Sequence, residues 1–307
     1  MKKNILSIVM ATYNGERFLR RQLDSLYRQT LQPDEVLVVD DCSTDGTVSI
    51  LEEYHKSHGL RYVVNEHNLR VNKNFEKALK LCTGDYIMFC DQDDVWMDNK
   101  IEIHYKKMQE IEDVNLPCLV TSRNTFVDKD LNIHHTTELD KDTDDYRDTI
   151  LYHLSQGSAM MMNRKCLDYI FPFPDMDKGV CYDFHVGYMV SMIGKKYDLK
   201  QSLMYYRVHE DNLTAMLDIS HHSEPLIHKR STSIVAEHFI RTFEFGNRHP
   251  FSKYFILERK LYVGKIIRIA HPKGYFSHMW NVFLIGHVPF STKIHSMVRA
   301  TANLLVR

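Results

Sequence analysis

The sequence predicts an α/β protein with a mostly parallel central sheet flanked by helices, followed by a helical C-terminal extension. Short apolar runs alternate with amphipathic stretches of about a dozen residues through the first hundred positions. This alternation favours parallel strands joined by right-handed crossovers. Polar residues follow the apolar runs directly, so the polar loops are expected at one rim of the sheet, where open α/β sheets bind ligands.

The individual elements follow from these periodicities. Strands are predicted at 5–10, 35–39, 60–64, 86–90, 119–128, 158–162 and 202–207. The residues between 128 and 134 are also predicted to be in a strand. Helices are predicted at 16–29, 72–82 and about 98–112, and an amphipathic helix at 183–193. Ser43 or Thr44 is the expected N-cap of a helix after the second strand. The first half is typical of a Rossmann-like nucleotide-binding unit, but GxGxxG and GxxxxGK[ST] turns are absent from the sequence, which disfavours nicotinamide chemistry and ATP hydrolysis.

Composition indicates an ordinary globular protein. The 307 residues are 44% hydrophobic and 26% charged. Six cysteines are scattered without CxxC spacing, so we expect them to be reduced and the protein to be cytoplasmic. The N-terminal Met-Lys-Lys-Asn is not followed by the apolar run of a signal peptide.

Charge divides the chain into two parts. The overall net charge is −1, but from residue 225 onward there are 13 Lys and Arg against three Asp and Glu. We therefore expect one domain at 1–220 and a basic helical extension at 221–307. Residues 274–292 carry no formal charge and are rich in aromatic side chains, which favours a helix lying on anionic lipid. A helical hairpin packed on the first domain or on a second copy of the chain is the alternative.

An acidic block, Asp91-Gln-Asp-Asp94, follows the fourth predicted strand. Carboxylates this close repel one another unless a cation or an ordered hydrogen-bond network compensates. The block therefore predicts a Mg²⁺ or Mn²⁺ site that also meets phosphate oxygens. A solvated acidic turn, with Asp98 as the N-cap of the next helix, is the alternative.

Six segments in order resemble the family 2 glycosyltransferases of the GT-A fold. They are SIVMATYNGERFL, VLVVDDCSTDGT, GDYIMFCDQDDVW, QGSAMMMNR, YDFHVGYMV and YYRVHEDN. The resemblance covers about residues 4–215 and is closest to a bacterial branch with an Asp-Gln-Asp-Asp-x-Trp block, which includes many rhamnosyltransferases. It implies inverting transfer of a sugar from a nucleoside-diphosphate sugar, either dTDP-rhamnose or a UDP-hexose. The implied acceptor is a saccharide, carried on a lipid, in the synthesis of a surface polysaccharide such as O-antigen or capsule.

The resemblance also implies roles for individual residues. Asp183 is implied as the general base that deprotonates the acceptor hydroxyl, although a helix-start aspartate favoured by the dipole is the structural alternative. The metal ligands for Mn²⁺ or Mg²⁺ would be Asp91, Asp93 and His209. The donor nucleotide would be bound by Thr12, Tyr13, Asn14, Glu16, Asp40, Lys73, Asp91, Gln92 and Arg207. The acceptor side would include Asp94, Trp96, Gly157 and Phe184. The branch commonly has Trp where Phe184 stands, and His185 departs from its pattern too, so the acceptor pocket is the least defined part.

A protein of this fold that binds nucleotide sugars or transfers nucleotidyl groups without glycosyl transfer is the alternative function. Nucleotidyltransferases carry a Gly-rich loop with basic residues after the first strand, and Ala11-Thr-Tyr-Asn-Gly-Glu16 lacks the basic pair. We expect no nucleic-acid partner. The expected location is the cytoplasm or the inner face of the cytoplasmic membrane, and a homodimer is one expected assembly.

Overall fold

The computed structural model describes residues 4–136, 156–175 and 181–210. The strands of this part are β1 (Leu6–Thr12), β2 (Glu35–Asp40), β3 (Arg61–Val64), β4 (Tyr86–Cys90), β5 (Val95–Trp96), β6 (Cys118–Val127), β7 (Ile133–Thr136), β8 (Met160–Asn163) and β9 (Lys195–Arg207). Its α-helices are α1 (Glu16–Tyr27), α2 (Thr47–His58), α3 (Arg70–Leu81), α4 (Lys100–Ile111), α5 (Leu167–Ile170) and α6 (Tyr182–Ile193). Single 3₁₀ turns at Gly157–Ala159 and Arg164–Cys166 flank β8.

The described strands form one sheet in the order β3-β2-β1-β4-β8-β6-β9-β5, with β7 paired to β6. The first four strands are parallel, as the alternating pattern predicts. The other half is mixed, because β8 is antiparallel to both β4 and β6 while β9 is parallel to β6 and antiparallel to β5. The mixed α/β class is confirmed, and β4 lies where the two halves meet.

Helices cover both faces of the sheet, which explains why its first strands are continuously apolar. Helices α1, α2 and α4 bury Leu23, Ile50 and Ile101 against one face, beside Ile8 of β1. Helices α3 and α6 pack on the other face together with Val9. The C-terminal ends of β1, β2 and β4 therefore remain available at one rim.

Three sequence predictions need correction. Helix α6 is not amphipathic, because every residue in it except Asp183 is buried. Strand β9 is 13 residues long rather than the six predicted at 202–207. Neither Ser43 nor Thr44 caps α2, because the helix begins at Thr47. The Thr47 amide donates to Asp45 Oδ1 at 3.0 Å.

Several predictions fall outside the described residues, namely the basic extension at 221–307 and the segment 274–292 within it. Among residues 4–136, 156–175 and 181–210, no helix has the length and apolar character needed to cross a bilayer. All six cysteines are free thiols, as predicted.

Candidate active site

The loops after β1 and β4 are joined by the Gln92 side chain. Its Oε1 accepts from the Tyr13 amide at 2.8 Å, and its Nε2 donates to the Tyr13 carbonyl at 3.0 Å. A Cβ on Gly15 would lie 2.4 Å from Gln92 Oε1, so a larger residue there would displace the Gln92 amide that joins the two loops. The Tyr13 ring is 49% exposed at this rim. An exposed ring on a fixed backbone is suited to stacking against a base.

The loop after β2 is organised by two buried aspartates. Asp40 accepts hydrogen bonds from Thr12 Oγ1 at 2.8 Å and from the Ser43 amide and hydroxyl at 2.9 and 2.6 Å. Asp41 accepts from the amides of Leu69 and Arg70 at 2.7 and 2.8 Å. Both aspartates thus hold the rim loops in place. The predicted contact between Asp40 and the donor nucleotide stays a prediction, and in the structure the Asp40 carboxylate organises the loop after β2.

Three other residues predicted to bind the nucleotide-sugar donor have hydrogen-bond or ion-pair partners within the protein. Two lie near the loop after β1 and one lies in α3. Asn14 adopts a positive φ of 47° and accepts from the Thr44 amide at 2.8 Å. Glu16 accepts from the Gly46 amide at 2.9 Å, which ties the start of α1 to the start of α2. Lys73 is paired with Glu76 at 2.9 Å. Their contacts with a donor stay predictions.

The structure brings Asp93 and His209 together, although 116 positions separate them in the sequence. Asp93 Oδ2 lies 2.9 Å from His209 Nε2, and the two side chains are 15% and 5% exposed. The imidazole packs against Phe18 with ring centroids 4.7 Å apart. A carboxylate oxygen beside an imidazole nitrogen at a sheet rim is a donor pair suited to Mn²⁺.

Arg207 is hydrogen-bonded to the backbone of the acidic block. Its Nε donates to the Asp93 carbonyl at 2.7 Å, and its Nη1 donates to the Lys129 carbonyl. Its guanidinium carbon lies 4.6 Å from the centre of the Phe18 ring. Nη2 is buried and has no hydrogen-bond partner within the described part of the chain. Buried guanidinium groups normally satisfy their donors, but Arg207 is 1% exposed, so an anionic ligand would reach Nη2 only after neighbouring side chains move, and its contact with the donor stays a prediction.

The acidic block is electrostatically strained. Burial raises the pKa of Asp91 to about 7, and the neighbouring charges of Asp93 and Asp183 contribute to the rise. Burial and the charges of Asp93 and Asp91 raise the pKa of Asp94 well above its usual value. Crowded carboxylates of this kind gain stability when a cation arrives.

The donor set of this region has the chemistry of a divalent-cation site. Across the described ranges 4–136, 156–175 and 181–210, no three His, Cys, Asp or Glu side chains are already arranged to hold a metal ion. Two of the three predicted ligands, Asp93 and His209, are nevertheless in contact, and Asp91 lies close enough to Asp93 for that charge to raise the pKa of Asp91. The residues present therefore fit a hard divalent cation in their chemistry.

Asp183, the predicted general base, begins α6 at the edge of the same region. Its Oδ2 accepts from the Gly157 amide at 3.2 Å and its Oδ1 from the Phe184 amide at 2.8 Å. Burial raises its pKa to about 6, against the lowering effect of these two amides. A carboxylate with a pKa close to neutral is a stronger base than an ordinary aspartate and is still ionised at pH 7.

The predicted acceptor-side residues are mostly buried. Asp94 is 0%, Trp96 1% and Phe184 7% exposed. A Cβ on Gly157 would lie 1.8 Å from the Tyr182 hydroxyl, so the close approach of the 3₁₀ turn to α6 requires glycine. A role for Asp94, Trp96, Gly157 and Phe184 toward the acceptor stays a prediction, and any effect of the three buried side chains would pass through their neighbours.

Sequence reasoning missed Lys100. Lys100 is 0% exposed, and burial lowers its pKa to about 7 although Cys90, Asp94 and Asp91 favour its charged form. A lysine near a predicted helix start is normally solvated, so nothing in the local pattern indicated its burial.

Comparison with known proteins places these features in context. The family model described as glycosyl transferase family 2 matches residues 7–171. An uncharacterized glycosyltransferase of Methanocaldococcus jannaschii, MJ1057, is 27% identical over 216 residues, which are 68% of this chain and 72% of that protein. The putative teichuronic acid biosynthesis glycosyltransferase TuaG of Bacillus subtilis is 34% identical over 109 residues, which are 35% of this chain and 43% of TuaG.

A solved structure shares the fold. The mannosyltransferase PcManGT of Pyrobaculum calidifontis, in complex with GDP-Man and Mn²⁺, superposes with a TM-score of 0.58 at 17% identity. The match covers 100% of this chain and 81% of that one. Since the family model spans more than half of the 307 residues, the chain belongs to glycosyl transferase family 2 and has its GT-A fold.

Proposed function

We propose that the protein transfers a sugar from a nucleoside-diphosphate sugar to a saccharide acceptor with inversion at the anomeric carbon. The observation that carries the proposal is the Asp183 carboxylate, which two amides orient at 3.2 and 2.8 Å and whose pKa is raised to about 6. Inverting transfer needs one such base to take the proton of the attacking hydroxyl. Family membership supports glycosyl transfer, and the oriented Asp183 carboxylate supports an inverting course.

The donor is proposed to bind across the loops that follow β1, β2 and β4. The exposed Tyr13 ring would stack on the base, and the unpartnered Nη2 of Arg207 would donate to the diphosphate. Asp93 and His209, with Asp91, would hold a Mn²⁺ or Mg²⁺ ion. When bound, that ion would neutralise the diphosphate leaving group. The crowding of carboxylates around Asp91 supports a cation at this place.

The donor sugar and the acceptor are narrower proposals. We retain dTDP-rhamnose as the first donor and a UDP-hexose as the second. The acceptor is proposed to be a growing surface polysaccharide on a lipid carrier. The similarity to TuaG, a putative glycosyltransferase of teichuronic acid biosynthesis, supports a polysaccharide acceptor.

A thermal-shift panel tests donor binding. The protein is incubated with dTDP-rhamnose, UDP-glucose, UDP-GlcNAc and GDP-mannose, each with Mn²⁺ and with EDTA. A ligand at 100 times its dissociation constant should stabilise the native state by about 2.7 kcal/mol, which is readily seen as a rise in Tm. No shift with any nucleotide sugar in Mn²⁺ would contradict the proposal.

A second experiment tests the base and separates glycosyl transfer from simple nucleotide-sugar binding. Release of nucleoside diphosphate from the stabilising donor is followed with saccharide acceptors and with water. Replacement of Asp183 by Asn should lower kcat by about 100-fold or more while leaving the donor-induced Tm shift intact. A variant with unchanged turnover would remove Asp183 as the base.

A further inference from the structure

The fully buried Lys100, in the first turn of α4, is tied to the 3₁₀ turn before β8. Its Nζ donates to the Ser158 carbonyl at 2.5 Å and lies 4.0 Å from the centre of the Trp96 ring. The thioether of Met204 is 3.0 Å from the same atom. Burying an ammonium group is unfavourable unless hydrogen bonds and nearby opposite charge compensate. The Ser158 carbonyl is the one oxygen among these contacts, so it is the main partner of Lys100.

Ser158 is also held through its side chain. The Ser158 hydroxyl donates to Asp94 Oδ2 at 2.8 Å, and Asp94 Oδ1 accepts from the Arg207 amide at 3.2 Å. Asp94 and Lys100 are each 0% exposed. Ser158 is therefore fixed through its carbonyl by α4 and through its hydroxyl by the acidic loop.

The fixed turn leads directly to the proposed base. Gly157 and Ser158 are consecutive residues of one 3₁₀ turn, and the Gly157 amide donates to Asp183 Oδ2. A shift of Ser158 therefore changes the direction of the amide that orients Asp183. We infer that Lys100 is a positioning residue, which together with Asp94 fixes the Gly157–Ser158 turn and so sets the direction of the Asp183 carboxylate. This inference rests on the proposed function.

The expected consequence is specific to turnover. Lys100 is fully buried and is linked by hydrogen bonds to Asp183 through the Gly157–Ser158 turn, so we expect no direct contact between the lysine and a donor or an acceptor. Loss of the lysine should change the orientation of the Asp183 carboxylate. The loops that contain Tyr13 and Gln92 are hydrogen-bonded to each other and should stay unchanged. Small misplacements of a reacting group lower rates by about 10- to 100-fold.

The test uses three variants of the full chain. Lys100→Met keeps the length of the side chain and removes the ammonium group that donates to the Ser158 carbonyl. Ser158→Ala removes the hydroxyl that donates to Asp94. Ile101→Val is the matched control, because Ile101 is also fully buried in α4 but packs in the apolar core. Two readouts are taken for each. Amide hydrogen exchange is measured for the peptide covering 156–163, and kcat and KM are measured by nucleoside diphosphate release from the donor that raises Tm.

The inference predicts that Lys100→Met and Ser158→Ala speed exchange in this peptide by about tenfold and lower kcat by about tenfold or more, with donor KM within about twofold. The double variant should lose less than the product of the single losses, because both act on one turn. Ile101→Val should change neither readout.

Other outcomes overturn the inference. Unchanged exchange and kcat in Lys100→Met would show that the turn does not depend on the lysine. A loss of donor affinity equal to the loss of kcat would show that Lys100 acts on the donor site through the charges of Asp91 and Asp94, and not on the base. If Lys100→Met does not fold, Ser158→Ala decides, and wild-type kcat in that variant refutes the positioning role. Failure of the proposed function is seen separately, as full turnover in Asp183→Asn.

Discussion

Replacing Asp183 by Asn should change stability in a way that depends on pH, because the pKa of this carboxyl is raised in the folded protein. Its usual value is 3.8 and its folded value is about 6. A raised folded pKa means that ionised Asp183 disfavours the folded state above pH 6, and this cost disappears as the pH falls through 6 towards 4. The asparagine side chain would carry no charge at either end of this range. The shift predicts that Asp183→Asn gains about 1.5 kcal/mol relative to the wild type between pH 5 and pH 8.

Urea unfolding of both proteins at pH 5 and pH 8, without metal or donor, measures this difference. The hydrogen bonds from the Gly157 and Phe184 amides are stronger to the ionised carboxylate, and this difference is already contained in the folded pKa of Asp183. An exposed aspartate such as Asp130, replaced by Asn, serves as the control and should show no such gain. A wild-type and variant pair whose stability difference is the same at both pH values would refute the raised pKa and the reasoning built on it.

Three further outcomes are expected. With saturating donor and Mn²⁺, kcat should fall about tenfold between pH 7.5 and pH 5 as Asp183 is protonated, and a flat profile would count against it. Gly157→Ala should lower the free energy of unfolding by about 3 kcal/mol, since the new Cβ would lie 1.8 Å from the Tyr182 hydroxyl; an unchanged Tm would contradict that packing. The full chain, with a net charge of +10 from residue 225 onward, should sediment with anionic liposomes at low salt and be released near 1 M NaCl, about where screening is complete. Absence of sedimentation at low salt would argue against a membrane-bound extension.

The first half of the fold was predictable because its signals are local. The run at 86–90 is apolar, is preceded by Gly84 and is followed by Asp91, and strand β4 has those bounds. Strand β9 was predicted too short because it begins with charged residues that read as a loop. In the structure Lys196 and Asp198 are paired and buried on this strand, with side chains 2% and 1% exposed. A buried ion pair hides the apolar alternation that identifies a strand.

The candidate active site could be predicted only in part, because residue spacing in the sequence does not show which distant residues meet. Asp93 and His209 meet only after the chain has passed through β9, and the resemblance to a known family was what linked them. The carboxylates after β4 could be predicted as a site from their crowding alone, and that assignment stays a prediction. The role of Lys100 could not, because its partner is the backbone carbonyl of Ser158, and a sequence carries no signal for side-chain contacts with a distant backbone oxygen.

The meeting of the parallel and mixed halves of the sheet at β4 has a consequence for engineering. Most residues proposed for the donor lie before α4, on β1, β2 and the loop after β4, whereas Gly157, Asp183 and Arg207 follow α4 in the chain. A junction within α4 would therefore separate the proposed base from most of the proposed donor residues, while Arg207 and His209 would stay on the same side as the base. Chimeras with a relative, joined within α4, should exchange acceptor preference while keeping that for the nucleotide, provided that the Lys100 contact with Ser158 is carried across the junction.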